Sequence, residues 1–369
     1  MDPELFWFPA RHYCLSHSVG AQPKAYKDAI NAGYETPWRT SGAEVWDDWF
    51  AIAEKFKTGL APILGVEPAD ICPQTNISSG VAKLLFSLPA RPGRNKIVLS
   101  EDDFPTVGFA LAQGQRNGYE LIFLPGGDAL ADPDHWARAF EDDVQLICAM
   151  GVYSNSSVRA PLAQIAARAR ESGAFTMFDV AQAAGAIPLA LEEWGCDFAL
   201  GTSQKYLCGG SGAAYLWVRG ETAQACNPID VGWFSHASPY EFDIHNFEYA
   251  DGAARFTGGT PSFGPLAGAL PGQDIIRGCG VSAIEAHVQD LLTKLFARLP
   301  EDAILSMRQR ELRGASAVVK VRDLAAAQKR LREQDIGHDQ RLGGIRFSFH
   351  LYNDDRDVDA LADTLGDLV

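Results

Sequence analysis

Lys205 stands in a Thr-Ser-Gln-Lys-Tyr turn, and small residues crowd the stretch after it: Gly209, Gly210, Ser211 and Gly212. An apolar, β-prone run, residues 174–178 (AFTMF), leads straight into Asp179, and a second such run over 196–200 comes shortly before Lys205. An acid at the carboxyl end of one strand and a lysine after the next both face the crevice where open α/β sheets bind ligands. A pocket lysine can form a Schiff base with an aldehyde cofactor. A nearby acid can keep a pyridine nitrogen protonated, which makes the ring an electron sink. On spacing alone, a surface lysine and a strand-end aspartate with no shared task remain the competing reading.

The surrounding pattern supplies elements to hold such a pair. Residues 96–99, 121–124 and 144–150 are further apolar, strand-like runs, and 161–170 is a crossover helix. Strands alternating with helices predict an α/β fold with a mixed, mostly parallel sheet flanked by helices. Residues 43–60 form an amphipathic helix with Trp46, Phe50, Ala53, Phe56 and Leu60 near one face, read as core or subunit contacts. Downstream, 281–299, 324–333 and 355–368 read as helices, and 312–321 and 344–350 as strands. They predict a smaller α+β C-terminal domain. The expected division is a large domain over 21–270 and a small one made of 1–20 and 271–369, with Pro271 at the boundary.

Thr75, Asn76, Ser78, Ser79 and Gly80 precede an apolar helical run. They offer hydroxyls and free backbone N–H groups at a helix start, an arrangement suited to a phosphate, although ordinary capping accounts for one of them. His12, Cys14 and His17 do not have zinc-ligand spacing, and no second ligand pair follows, so no metal is expected.

Composition narrows the classes. The chain has 369 residues, 47% hydrophobic and 21% charged, ordinary for a globular enzyme large enough for two domains. Its net charge of −15, from 32 basic and 47 acidic residues, argues against nucleic acid or an anionic membrane as partner. Seven cysteines without paired spacing read as reduced thiols, and no signal peptide or long apolar span is visible, so a cytoplasmic location is expected.

Longer motifs carry a resemblance. Asp179-Val180-Ala181-Gln182, Asp197-Phe198-Ala199, Lys205-Tyr206-Leu207 and Gly209-Gly210 resemble the pyridoxal-phosphate site of the fold type I, class V aminotransferase superfamily, and within it kynureninase most. Phe104-Pro105-Thr106, Val231-Gly232-Trp233, Arg255-Phe256-Thr257-Gly258-Gly259-Thr260-Pro261 and Ile345-Arg346-Phe347 with Leu351-Tyr352-Asn353 extend the likeness over most of the chain. The resemblance implies pyridoxal 5'-phosphate carried by Lys205 as an aldimine, with Asp179 on the ring nitrogen and Gln182 on the ring hydroxyl. Phe104 would stack on the ring, with the phosphate held by Ser78, Ser79, Thr202 and Gln204. It also implies that Trp233 and Thr260 reach the phosphate of a neighbouring subunit, hence a homodimer with shared active sites. Arg346 would grip the α-carboxylate of an amino-acid substrate, its guanidinium matching a carboxylate in a two-bond fork. Ser154 and Asn155 would face the ring or substrate.

There are departures from kynureninase. Val107 stands where that family has Asp, Gln182 where it has His and Gln204 where it has Tyr. Residues 33–42 (GYETPWRTSG) lack its substrate loop. The expected activity is therefore kynureninase-like cleavage of a Cβ–Cγ or Cβ–X side-chain bond of some amino acid, as lyase or hydrolase, through a quinonoid. The alternatives are a class V aminotransferase, with which Gln182 is compatible, and a catalytically inactive binding protein on the same fold. A cysteine desulfurase would carry a nucleophilic cysteine shortly before the substrate arginine, and 326–345 contain none.

Overall fold

The computed structural model describes residues 2–369. Its centre is a seven-stranded sheet: β1 (Ile71–Gln74), β2 (Lys96–Ser100), β3 (Glu120–Leu124), β4 (Val144–Met150), β5 (Phe175–Asp179), β6 (Phe198–Thr202) and β7 (Ala214–Val218). The spatial order is β1-β7-β6-β5-β4-β2-β3. The four ladders from β6 to β3 are parallel, and β7 runs antiparallel to both its neighbours. Every residue of β4, β6 and β7 is buried, as expected of a sheet covered on both faces by helices. Pro73 is tolerated in β1 because β1 is an edge strand.

Two strand boundaries differ from the sequence reading. β7 is an additional strand, and its pairing with β6 extends that strand to Thr202, which is a strand end rather than a turn residue. Residues 33–42, which lack the kynureninase loop motif, are largely helical: helix 26–30 continues through a π turn, Asn31–Glu35, into Thr36–Thr40. Pro37 sits in the first turn of that last piece, where its missing N–H costs nothing.

The smaller C-terminal layer is a three-stranded antiparallel sheet, β8 (Ser316–Val319), β9 (Asp339–Arg341) and β10 (Gly344–Ser348), with β10 central. Helices Val281–Phe296, Leu324–Glu333 and Asp355–Leu365 accompany it. The N-terminal segment docks onto this layer: Gly337 donates to the His12 carbonyl and Ser348 to the Cys14 carbonyl. Pro271 lies inside the helix Phe263–Cys279.

Candidate active site

The carboxyl ends of the parallel strands build one cleft. Its lining comes from Thr75, Asn76, Ile77 and Ser78 after β1, Phe104 after β2, Ser154 after β4, Asp179 and Gln182 at the end of β5, and Thr202, Gln204 and Lys205 after β6. These positions, far apart in sequence, meet because parallel strands end on one side of a sheet.

Asp179 is buried and accepts a 2.9 Å hydrogen bond from the Ala181 amide. Burial raises its pKa, and the field of Lys205 and the Ala181 bond oppose that rise. The Lys205 amine lies 5.5 Å from the centroid of the Phe104 ring and forms no ion pair among the described residues. Burial lowers its pKa; Asp179 pulls the other way, and Arg346 and Arg341 add to the lowering. A lysine so placed has more of the free-amine form that a nucleophile or base requires. Its backbone is held against the N-terminal segment, where Gly20 donates to the Gln204 carbonyl at 2.7 Å. A Cβ on Gly20 would fall 2.1 Å from the Lys205 carbonyl oxygen, so only glycine fits there.

Helix Ile77–Leu85 points its amino end into the cleft. Asn76 caps it, its side chain accepting from the Ser79 amide at 2.9 Å. The other first-turn amides are left for an anion. Ser78 lines this cleft, but Ser79 lines an adjoining one with Lys83, Asp230, Gly259 and Thr260. Trp233 and Thr260 do not line the Lys205 cleft of their own chain. Trp233 joins an aromatic cluster with Trp46, 5.4 Å away, and Phe234, 4.1 Å away. Lys83, an unremarked helix lysine in the sequence, is buried; it donates to the Phe256 carbonyl and pairs with Asp230, fixing the loop that bears Thr260.

Arg346 is buried and already well occupied. Its Nε and Nη2 grip both oxygens of Asp339 at 2.8 and 2.5 Å, and Nη1 donates to the Ser154 carbonyl at 2.6 Å. Two of the five guanidinium N–H groups remain for a ligand. His17 closes the network, its ring contacting Asp339 at 3.1 Å and the Ser348 hydroxyl at 2.9 Å. The His17 carbonyl accepts from the Gln182 amide at 2.9 Å. One buried histidine thus links Gln182 of the cleft to the Asp339–Arg346 pair, and burial lowers its pKa to about 4. Asn155 does not join the cleft: its amide nitrogen donates to Asp102 at 2.9 Å and ties the loop instead. Cys208 is buried, with burial pushing its thiol up to about 12, so it is structural rather than nucleophilic.

Asp103 was hidden in a polar run of the sequence. It is buried, and neither carboxylate oxygen has a hydrogen-bond partner, although the Cys148 thiol, a weak donor, lies beside it. Burial, with Asp179 and Asp102 adding like charge, raises its pKa to about 8. A raised pKa contributes stability below the unfolded value, near 3.9, which is lost as pH rises through the folded one. Asp103→Asn is therefore expected to melt above the unsubstituted protein at pH 8, by on the order of 2–4 kcal/mol in stability. The gain should vanish near pH 4, and melting curves at several pH values check it.

Comparison with known proteins identifies the class. The aminotransferase class-V family model matches residues 78–361, and the chain belongs to that family. It is a pyridoxal-phosphate-dependent enzyme of fold type I. A Bacillus subtilis protein, the uncharacterized aminotransferase YcbU, is 26% identical over 317 residues, 84% of this chain and 81% of that one. Kynureninase from Deinococcus radiodurans is 29% identical over 300 residues, 78% of this chain and 71% of its own. A solved C-DES mutant with glycine covalently linked to its PLP cofactor superimposes over 100% of both chains with TM-score 0.89 at 21% identity.

The residues present fit pyridoxal phosphate. An unpaired lysine amine, a buried acid, the half-exposed face of Phe104 and a helix amino terminus converge on one cleft. Among the described residues no helix is long and apolar enough to cross a membrane.

Proposed function

We propose that this enzyme cleaves a side-chain bond, Cβ–Cγ or Cβ–X, of an amino acid, as a lyase or hydrolase. The observation that carries the reading is the Lys205 amine: unpaired, lowered in pKa and flanked by Asp179 and Phe104 in the cleft. Kinship with kynureninases supports cleavage over simple transfer.

When bound, pyridoxal phosphate supplies an aldehyde carbon for amines and a ring that accepts electrons from bonds at Cα. The chain's own groups do the rest. Helix Ile77–Leu85, Ser78, Thr202 and Gln204 hold the phosphate, with Ser79 beside it, and Phe104 packs against the ring. Asp179 would hold a proton on the ring nitrogen, and Gln182 would bind the ring hydroxyl. Arg346 orients the substrate through its α-carboxylate. The Lys205 amine takes the Cα proton and returns it where the product needs it. Trp233 and Thr260 do not line the Lys205 cleft of their own chain and are assigned to the neighbouring site of a homodimer. Ser154 borders the substrate space.

Transfer of the amino group to a keto acid is the second reading, favoured by the Bacillus relative's description as an aminotransferase. Product analysis separates the two. Purified, cofactor-loaded enzyme is given kynurenine, alanine, cysteine and aspartate in turn, with and without pyruvate. Cleavage products without a keto acid support the proposal. Turnover that strictly requires pyruvate and yields alanine overturns it.

A further inference from the structure

We propose that Arg341 is a specificity residue that recognises a second anionic group, a carboxylate or sulfinate, at the end of the substrate side chain. The inference rests on the amino-acid reading above and deepens it.

The register of the β9–β10 hairpin places Arg341. Asp339 pairs across with Arg346, and Arg341 with Gly344. Side chains two apart on a strand, and those directly opposite across a ladder, share a face. Arg341 therefore projects from the same face as Asp339 and Arg346. Arg346 on that face reaches the Ser154 carbonyl at the cleft, so the face looks onto the site. The residue opposite Arg341 is a glycine and covers nothing. No side chain fits there, because a Cβ on Gly344 would fall 2.5 Å from the Val319 carbonyl oxygen.

Arg341 is half-buried yet has no acidic partner among the described residues. One of its five N–H groups meets a protein acceptor, the adjacent Gln340 carbonyl at 3.0 Å. Asp339, two residues back on the same face, is already committed on both oxygens to Arg346 and on one to His17. The Arg346 charge acts on Arg341 more strongly than that of Asp339, and Lys205 feels Arg341 across the cleft. The turn between the strands holds this placement: Leu342 and Gly343 both have positive φ, 51° and 75°, the two-residue turn that suits a tight hairpin. A bulky residue in that region is strained, and Leu342 also exposes its apolar side chain at 57%. Once Arg346 has taken an α-carboxylate, Arg341 remains an uncompensated cation beside the path of the side chain. An anionic group with two equivalent oxygens, carboxylate or sulfinate, meets its fork of donors, and a neutral amide of the same size does not.

The test is titration of the cofactor-loaded enzyme, read by the visible spectrum of the bound cofactor. L-Aspartate, L-glutamate and L-cysteine sulfinate are compared with L-asparagine, L-glutamine and L-alanine. At least one acid is expected to bind 10-fold or more tighter than its neutral counterpart. Arg341→Gln should remove that preference while leaving alanine and asparagine binding within about twofold, and Arg341→Lys should keep part of it. The preferred acid distinguishes carboxylate from sulfinate recognition. Equal binding of acids and amides overturns the proposal, as does an Arg341→Gln variant that weakens all amino acids alike, which would make Arg341 an α-carboxylate or structural residue. If alanine perturbs the spectrum but no acid is preferred, this proposal alone fails. If no amino acid perturbs it, the underlying reading fails too.

Discussion

Lys205→Ala is expected to lower turnover by roughly 10²–10⁴-fold from lost proton transfer alone, and by more because the covalent anchor of the cofactor is lost. The fold should survive. The amine makes no ion pair and its pKa is lowered by burial, so its charged form is a burden on the native state at neutral pH. A lowered lysine pKa costs stability where the unfolded chain is protonated, below about pH 10.4, and that cost disappears above it. The cofactor-free variant should consequently melt no lower than the cofactor-free parent at pH 7. Borohydride treatment of loaded enzyme followed by peptide mass analysis should find the cofactor on Lys205 in the parent and on no lysine in the variant. Retained turnover, or labelling of another lysine, would remove Lys205 from its role.

That Asp179 and Lys205 meet in one cleft was legible in the sequence for a simple reason. Strand-end position and an apolar lead-in are local signals, and both Asp179 and Lys205 carry them. The helix Ile77–Leu85 was legible in the same way, through its polar start and apolar continuation. Signals that depend on tertiary pairing were not. β7 carries an apolar, β-prone run of its own, Ala214–Val218, that the sequence reading passed over, and only its pairing decides that Thr202 ends a strand. Residues 33–42 hold Gly, Pro and Ser, which read locally as loop, yet Trp38 and Tyr34 pack on Trp49 of helix Val45–Leu64 and keep the segment helical. Asp103 and His17 were hidden for a further reason. A lone acid in a polar run, or a histidine near a cysteine, acquires its meaning from burial. His17 is decisive here because Gln182 arrives at it from one distant part of the chain and Asp339 and Ser348, on one hairpin, from another.

That convergence makes Asp339 the most consequential residue outside the cofactor cleft. Arg346 is 3% exposed and Asp339 29%, so removing the acid leaves a buried guanidinium with the Ser154 carbonyl as its protein partner. Breaking a buried pair from one side costs about 3–5 kcal/mol, and the partial exposure of Asp339 reduces that to on the order of 2–3 kcal/mol. Asp339→Asn should lower stability by that amount. It should also raise KM for the amino acid by roughly 10-fold or more, with a smaller effect on kcat, because Arg346 loses its orientation rather than its charge. The acid limb gives an independent signature. Arg346 and His17 hold the Asp339 carboxyl well below the usual range against the opposing effect of burial. Its stabilisation is present above pH 4 and lost as pH falls toward the folded value. His17, lowered to about 4, is neutral in the fold, so its contribution is present above about pH 6.5 and is lost between there and pH 4. Between about pH 6.5 and 4 the His17 loss is opposed by the gain from Asp103, so the stage that reports on this network is the one below pH 4, and Asp339→Asn should flatten it. A variant with unchanged KM and an unchanged acid limb would show that the network serves neither substrate orientation nor the fold.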